Sequence, residues 1–398
     1  MGQDRVMGQD RVMGQNRMIE QVVIVGAALS DCGRVDSTTP FALHQQAAAR
    51  ALADAGLSHT DVDGVASTGL GVLAPVELAE YLGLRPTWTD STSVGGSAWE
   101  VMLEHAADAI RAGTATTVLL VYGSTARSDL KNRLRTANLS LSSRGPSQFE
   151  VPWGHTLIAK YAMTARRHMH EFGTTIEQLA NIAVDTRFNA GLNPDAMYRE
   201  PLTVDDVLAA PMVATPFTKL HCCIRSDGGG AVVLTSARRA ADLPGRAVRV
   251  LGTGTASNVT TMSEWADFTR SPAEVSGRLA FSRAGLTPAD VDVCQFYDSF
   301  TSTVLLTFEA LGFCGRGEAG GYLEGGTMRV GGAMPTNTDG GGLSACHPGM
   351  RGIFLLVEAV RQLRGEATGR QVPDARVACV NATGGWFSSA STVLLGVD

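Results

Sequence analysis

Tyr297 and His347 are the two titratable side chains whose surroundings in the sequence best suit proton transfer. His347 lies in "GGGLSACHPGM", after a Gly-rich turn and directly before Pro348. We expect a helix to begin here, and a helix N-terminus lowers the pKa of a nearby imidazole and favours its neutral form. Tyr297, in "QFYDSF", can donate a hydrogen bond at its ordinary pKa of about 10, whereas action as a base would need a nearby positive charge. The pair predicts acid–base chemistry at a substrate oxygen.

A second Gly-rich turn, "TSVGGSA", precedes another amphipathic helical pattern. Ser93, Gly95 and Gly96 lie where the first N–H groups of that helix have no partner within the helix. Gly384 and Gly385, in "NATGG", follow a matching strand and can complete the same surface. We predict that these backbone groups bind an oxyanion without covalent chemistry.

Other polar residues have weaker signals. His155, in "PWGHTLIAKYA", opens a helical pattern and either positions substrate, shuttles a proton or only caps the helix. His168 and His170 fall on a charged helical face and are expected to be solvated. Asp298 faces away from Tyr297 on its strand, which predicts a structural bond to the helix that "SFTSTV" begins.

The elements that must position these residues occur twice. "AGLSHTDVD" at residues 55–63 and "AGLTPADVD" at residues 284–292 each follow a helical pattern and precede a short apolar run. Each copy is then followed by a Gly-rich turn, a long amphipathic helix that stops at Arg and Gly, and a β-branched strand. Four elements in matching order predict an internal duplication.

Alternating strands and helices predict two halves that each carry a sheet covered by helices, packed as five layers, αβαβα. We place the first half at residues 19–245 and the second at residues 246–398. Residues 128–215 have no counterpart in the second half, so we interpret them as an insertion that caps the site. The hexamer repeat in residues 1–18 is expected to be a disordered extension.

Composition excludes several classes of function. The net charge of −6 and the lack of a basic block argue against nucleic-acid binding, and no apolar run is long enough to span a membrane. The seven cysteines include no CxxC pair, so we expect reduced thiols in the cytoplasm and no metal site.

These patterns, with "QFYDSFTSTVLLTFEALGFCGRGEAG" and "LHCCIRSDGGGAVVLTS", resemble the thiolase superfamily from about residue 19 onwards. The resemblance is nearest to the sterol-carrier-protein-type thiolases and the lipid-transfer-protein-like aldolases of steroid side-chain breakdown. It implies an α/β duplicated thiolase fold with an inserted loop domain. Where condensing thiolases carry a nucleophilic Cys, an Asn, a His and a second Cys, this chain has Ser93, Tyr297, His347 and Asn381.

The loss of the nucleophilic Cys disfavours condensation through an acyl-enzyme, because Ser needs a dedicated base to replace a thiolate. The aldolase branch implies instead the retro-aldol cleavage of a β-hydroxyacyl-CoA to a ketone or aldehyde and a shorter acyl-CoA. Tyr297 matches a functional tyrosine of that branch, while a second tyrosine near residues 345–347 is missing here. Either Tyr297 or His347 then removes the hydroxyl proton, and N–H groups near Gly96 and Gly385 hold the enolate oxygen.

The resemblance also implies partners and a fuller binding site. Arg127 and Lys131, after a core strand, are candidates for the phosphates of coenzyme A. Cys346, beside His347, either lines the substrate site or packs there as a small side chain. Coenzyme A enters as part of the substrate, with no separate cofactor. A homodimer is implied, together with a small partner protein that bears an OB-fold and a zinc ribbon.

Two other functions stay open on the sequence. An acyltransferase or thiolase would use Cys346 or Ser93 covalently. A non-catalytic acyl-CoA-binding subunit would leave the chemistry to its partner.

Overall fold

The computed structural model describes residues 20–132, 145–154 and 156–398, so the hexamer repeat and His155 lie outside the described residues. The strands are β1 Val22–Leu29, β2 Gly64–Ala66, β3 Trp88–Asp90, β4 Thr117–Ser124, β5 Met212–Ala214, β6 Phe217–Thr218, β7 Gly228–Ser236, β8 Val248–Ser257, β9 Val293–Phe296, β10 Val377–Gly384 and β11 Ser389–Gly396. The helices are α1 Pro40–Asp54, α2 Ala74–Tyr81, α3 Ala98–Ala112, α4 Ala126–Lys131, α5 Leu157–Phe172, α6 Ile176–Leu192, α7 Val204–Ala209, α8 Ala237–Ala240, α9 Ala273–Ala284, α10 Thr301–Leu311, α11 Ala319–Tyr322 and α12 Gly352–Arg364. None of the helices in these ranges is both long and apolar enough to cross a membrane.

The strand order shows the duplication directly. Nine described strands form one sheet in the order β3-β2-β4-β7-β1-β8-β11-β10-β9. Read outwards from the β1–β8 junction, the first half runs β1, β7, β4, β2, β3 and the second runs β8, β11, β10, β9. The four strands of the second half correspond in order to the first four strands of the first half. The junction itself pairs only Val23 with Arg249 and Ile24 with Val248. The boundary drawn after residue 245 falls in the connection between β7 and β8.

The repeated "DVD" has the same structural task in both halves. The carboxylate of Asp63 accepts hydrogen bonds from the backbone N–H groups of Thr116 and Thr117, at the start of β4. The carboxylate of Asp292 accepts the equivalent bonds from Arg376 and Val377, at the start of β10. Each repeat therefore ties the turn that follows a helix to the start of a neighbouring strand.

Alternate side chains along the strands face opposite sides of the sheet, and helices cover both sides to give the five layers. In β1, Val22 and Ile24 face the central cluster with α3 and α12, while Val23 and Val25 face α1 on the outside. Helices α3 and α12 carry buried residues against strands of both halves, and α9 and α10 cover the outer side of the second half. The layers are therefore α1, the first half of the sheet, α3 with α12, the second half of the sheet, and α9 with α10.

The insertion occupies the connection between β4 and β7. The equivalent connection in the second half, between β10 and β11, is only residues 385–388. Helix α5 reaches across to this short loop, where the Tyr161 hydroxyl donates to the Gly385 carbonyl at 2.8 Å. Helix α6 packs on the turn Gly341–Ala345 that precedes His347. The insertion thus covers both loops that hold predicted site residues.

Candidate active site

Tyr297 directly follows β9 and is held by the strand beside it. Its N–H donates to the Asn381 carbonyl at 2.9 Å, and its side chain is 5% exposed. The ring lies on Gly96, where a Cβ atom would stand 2.4 Å from the ring and 2.5 Å from the Thr383 carbonyl oxygen. Gly96 is therefore required by the close approach of Tyr297, which brings the start of α3 to the phenol.

His347 lies edge-on to Tyr297, with ring centroids 5.5 Å apart and planes at 88°. Its N–H donates to the Ser226 hydroxyl at 2.8 Å, and the Tyr122 hydroxyl donates to the carbonyl of Pro348 at 2.7 Å. These two bonds tie this loop of the second half to the first half. The imidazole Nε2 is buried and has no hydrogen-bond partner among the described residues. A buried ring nitrogen without a partner is free to bond a substrate hydroxyl.

Burial favours the neutral form of both side chains, so it shifts their two pKa values in opposite directions. It lowers the pKa of His347 to about 4, and the charge of Arg351 adds to this effect. It raises the pKa of Tyr297 well above its ordinary value, and the nearby backbone N–H of Arg351 opposes the rise only in part. The neutral imidazole expected from the sequence therefore results mainly from desolvation rather than from a helix dipole. At neutral pH the imidazole of His347 is therefore able to accept a proton, whereas the phenol of Tyr297 keeps its proton and is able to donate it.

Arg351 is the centre of a buried ionic cluster behind this pair. Its guanidinium donates to both carboxylate oxygens of Asp339 at 2.7 and 2.6 Å and to the Cys346 carbonyl at 2.7 Å. Asp298 lies 3.5 Å from the Arg351 Nε and accepts two N–H bonds from the turn Gly341–Ala345. The sequence-based bond of Asp298 to its own helix is therefore wrong, because the turn and Arg351 satisfy the carboxylate instead.

Replacing Arg351 with Ala is expected to lower the free energy of unfolding by about 3–5 kcal/mol, because two buried carboxylates then lose their counter-charge. Urea unfolding at pH 7 measures this change. Arg278→Ala, at an exposed position on α9, is the control and should change stability by less than about 0.5 kcal/mol. Equal unfolding midpoints for the two variants would contradict a structural role for the cluster.

The two Gly-rich loops meet as predicted. A Cβ atom on Gly95 would lie 2.9 Å from both the Gly384 Cα and the Gly385 N, and Gly95 has φ +76°. The Ser97 hydroxyl bonds the Ser389 hydroxyl at 2.8 Å and so joins the loops from behind. Ser93 is exposed. The N–H groups around Gly95 and Gly385 therefore lie together, close to Tyr297.

The structure also places three further residues of the predicted binding site, Cys346, Arg127 and Lys131. Cys346 is 4% exposed, and its thiol bonds the Ser226 hydroxyl at 3.1 Å, so it packs as a buried side chain. Burial raises the pKa of this thiol well above its usual range, which makes it a poor nucleophile. Arg127 and Lys131 both pair with Asp36, at 3.2 and 3.0 Å. Their charges are therefore partly compensated by an acid that lies about 90 residues earlier in the chain.

The expected solvation of His168 is wrong, while His170 is exposed as expected. His168 is 2% exposed, and its ring bonds Glu309 at 3.1 Å and the Thr174 hydroxyl at 2.9 Å. Sequence reasoning also missed Ser226 and Arg351. Arg351 directly follows "HPGM" in the sequence, and this position next to His347 could have identified it as a site residue. No local sequence pattern identifies Ser226.

The layered, duplicated body with a His loop and a Gly-rich helix start defines a thiolase-fold protein. Residues 254–397 match the family described as Thiolase C-terminal domain-like. The chain is 35% identical to the 17-hydroxy-3-oxo-4-pregnene-20-carboxyl-CoA lyase of Mycobacterium tuberculosis, over 94% of this chain and 99% of that protein. It is 32% identical to the acetyl-CoA acetyltransferase of Methanothermobacter thermautotrophicus, over 94% and 98%. The solved Ltp2-ChsH2(DUF35) aldolase superposes with a TM-score of 0.86 at 30% identity, over 95% of this chain and 98% of that one.

The chain belongs to the thiolase superfamily, in the branch of the sterol-carrier-protein-type thiolases and steroid side-chain aldolases. It is a carbon–carbon lyase of that superfamily.

Proposed function

We propose that this lyase cleaves a β-hydroxyacyl-CoA, with a steroid side chain as the acyl group, by a retro-aldol reaction. The observation that carries the proposal is the pair of Tyr297 and His347, an acid and an unpartnered acceptor nitrogen in edge-on contact. Condensing relatives need a thiolate, and this chain has Ser93 at the position of that cysteine. A pocket with a proton acceptor and a proton donor suits bond cleavage through an enolate.

The neutral His347 takes the proton of the β-hydroxyl at Nε2. As the oxygen forms its carbonyl, the bond between the α and β carbons breaks and its electrons pass to the thioester as an enolate. Tyr297 then gives its proton to the α carbon and releases the shortened acyl-CoA. Return of the proton from the imidazolium to the phenolate restores both side chains.

The enolate oxygen needs donors that are already in place. The N–H groups around Gly96 and Gly385 are the candidates, because the loops that carry them meet beside the phenol. Coenzyme A is present only as part of the substrate in this proposal, and no separate cofactor is required. Arg127 and Lys131 remain candidates for its phosphates in spite of their pairing with Asp36.

The acetyltransferase relative favours thiolase-like acyl transfer as the second candidate. That reaction would need a covalent acyl group on Ser93 or Cys346. The burial of the Cys346 thiol argues against an adduct there, and an adduct on Ser93 would need a dedicated base to activate the hydroxyl.

We also propose that the enzyme acts in the cytoplasm as a homodimer with a small OB-fold and zinc-ribbon partner. The solved Ltp2-ChsH2(DUF35) aldolase is named for two components, which supports a partner by analogy. Strand β3 is at the edge of the sheet, where a second copy can pair with it. Phe149 and Trp153 are 72% and 87% exposed, as large apolar side chains at an interface surface are before assembly.

Incubation with a panel of β-hydroxyacyl-CoAs, with and without the product of a neighbouring gene, tests the function by mass spectrometry. We expect a carbonyl compound and a shortened CoA ester in equal amounts. The matched control is the same thioester without its β-hydroxyl, which has no proton for His347 and should stay intact. A covalent acyl adduct on the protein, with no carbonyl product, would favour acyl transfer instead.

A further inference from the structure

Cys32 and Cys346 are two free thiols that lie close together beside the loop of His347. A Cβ atom on Gly228 would stand 2.9 Å from the Cys32 sulfur and 3.2 Å from the Cys346 sulfur. The two sulfur atoms are therefore no more than about 6 Å apart. Because Gly228 has no side chain, both sulfurs have room to border the same small space.

The main chain brings the two cysteines together from different halves of the fold. Cys32 lies in the connection between β1 and α1, and Cys346 follows the turn Gly341–Ala345. Gly33, the residue after Cys32, exchanges both of its backbone hydrogen bonds with Asp227 at 2.9 Å. The Cys346 sulfur lies 3.7 Å from the carbonyl oxygen of the same Asp227. A bond between the two sulfurs would thus link the first half to the loop of His347.

Cys32 differs from the other cysteines in its reactivity. It is half-buried, and the nearby Cys346 thiol lowers the pKa of the Cys32 thiol. Burial raises the pKa of each of the other six cysteines, which are Cys222, Cys223, Cys294, Cys314, Cys346 and Cys379. The thiolate is the form that reacts with an oxidant, so Cys32 is suited to react first. Cys346 is then the neighbouring thiol that an oxidised Cys32 meets.

We propose that Cys32 and Cys346 are a redox pair that hydrogen peroxide oxidises to a disulfide. The Cys32 thiolate attacks one peroxide oxygen, a sulfur–oxygen bond forms, the oxygen–oxygen bond breaks, and the leaving hydroxide takes up a proton to become water. The Cys346 sulfur then displaces hydroxide from the sulfenic acid, and this hydroxide leaves with the Cys346 proton as a second water. The thiol pair loses two electrons, and the peroxide gains them.

The disulfide acts on His347 through Ser226. The Ser226 hydroxyl bonds the Cys346 thiol at 3.1 Å and accepts the N–H of His347 at 2.8 Å. A disulfide brings its two sulfurs to about 2 Å, which draws Cys346 away from Ser226 and displaces His347, the next residue in the chain. Oxidation therefore slows the retro-aldol reaction, and this consequence rests on the proposed function.

Peptide mapping tests whether the disulfide forms. The reduced protein is treated with hydrogen peroxide, its remaining thiols are alkylated, and the digest is analysed by mass spectrometry without a reductant. We expect two peptides linked through Cys32 and Cys346, which dithiothreitol separates. Cys294 and Cys379 are the internal control, because they are paired in register on β9 and β10 but are 0% exposed. These two cysteines should stay reduced.

Cys32→Ser separates the effect of the disulfide from other oxidation. We expect peroxide to lower kcat/KM of the wild type about 100-fold, as a displaced catalytic group does, and dithiothreitol to restore it. Cys32→Ser, or Cys32→Ala if the serine variant does not fold, should keep its basal rate and resist peroxide. Cys314→Ser, at a half-buried cysteine after α10, is the matched control and should lose activity as the wild type does.

Hydrogen exchange gives a readout that does not need turnover. The backbone N–H groups around His347 should exchange faster after oxidation of the wild type and at an unchanged rate in peroxide-treated Cys32→Ser. This proposal alone would be overturned by a missing Cys32–Cys346 link, by unchanged exchange in the linked protein, or by a linked enzyme of full activity. A wild type that forms the link and loosens the loop, but cleaves no β-hydroxyacyl-CoA even when reduced, would overturn the proposed function instead.

Discussion

Tyr297→Phe is expected to lower kcat by about 10²–10⁴-fold with little change in KM, because it removes the proton donor but keeps the ring that packs on Gly96. The raised pKa of Tyr297 keeps the phenol protonated through the neutral range. Its only available role in the proton transfers is therefore to donate. Stopped assays of carbonyl product formation measure the loss.

A partial reaction isolates the step at the α carbon. Product acyl-CoA in D₂O should exchange its α protons on the wild-type enzyme, because the reverse proton transfer forms the same enolate. Tyr297→Phe should lose this exchange to a similar degree, whereas Tyr322→Phe, in α11, should exchange as the wild type does. Full exchange by Tyr297→Phe would show that another group protonates the carbon, and Tyr297 would then have only a packing role.

The architecture was accessible from the sequence because its signals are local and occur twice. "AGLSHTDVD" and "AGLTPADVD" each encode a helix end, a capping turn and a strand start, and the structure places all three in both halves. The Gly-rich turns likewise begin long helices that end at Gly113 and Gly365 in the left-handed conformation that glycine favours. Each of these features needs only neighbours within about ten residues.

The site was accessible only in part, because its electrostatics depend on contacts between distant segments. "HPGM" identified His347, but the low pKa of its imidazole comes from burial by both halves and from Arg351. The pairing of Arg127 with Asp36 joins segments 91 residues apart, and no local pattern marks it. His168 lies on a helical face that looks polar, yet Glu309 on α10 covers it.

The same limit applies to Glu100. In "SAWEVMLEHAADAIRAG" it occupies a position that an amphipathic pattern accepts on its polar face. Only the packing of α12 across the start of α3, with Gly352 against the carboxyl group, buries it. A Glu in a sequence pattern for a central helix of a layered fold thus indicates a buried carboxyl group more strongly than a Glu on an outer helix. Both faces of the central layer are covered, whereas an outer helix keeps one face in solvent.

His347→Ala is expected to lower kcat/KM by about 10²–10⁴-fold, because no other unpartnered acceptor nitrogen contacts Tyr297 in the described part of the chain. The substitution leaves a cavity of imidazole size, so added imidazole should restore part of the activity. His170→Ala, at an exposed position on α5, is the control and should keep wild-type rates. Loss of activity in His347→Ala without any rescue, in a protein of unchanged stability, would argue that the side chain only shapes the pocket.

The pH dependence gives His347 a second signature. Since its pKa in the folded protein is about 4, the imidazole stays unprotonated through the neutral range, and kcat/KM of the wild type should fall only below about pH 5. Stability follows the same sign: the unfolded state takes up the proton near the ordinary value of 6.5, so the contribution is complete above about pH 6.5 and is lost as the pH falls towards 4. His44 and His221 have pKa values lowered to about 4 in the same way and add to this acid sensitivity. His347→Ala should therefore retain two of the three contributions, and urea unfolding at pH 7 and pH 5 should show a smaller acid-induced loss than in the wild type.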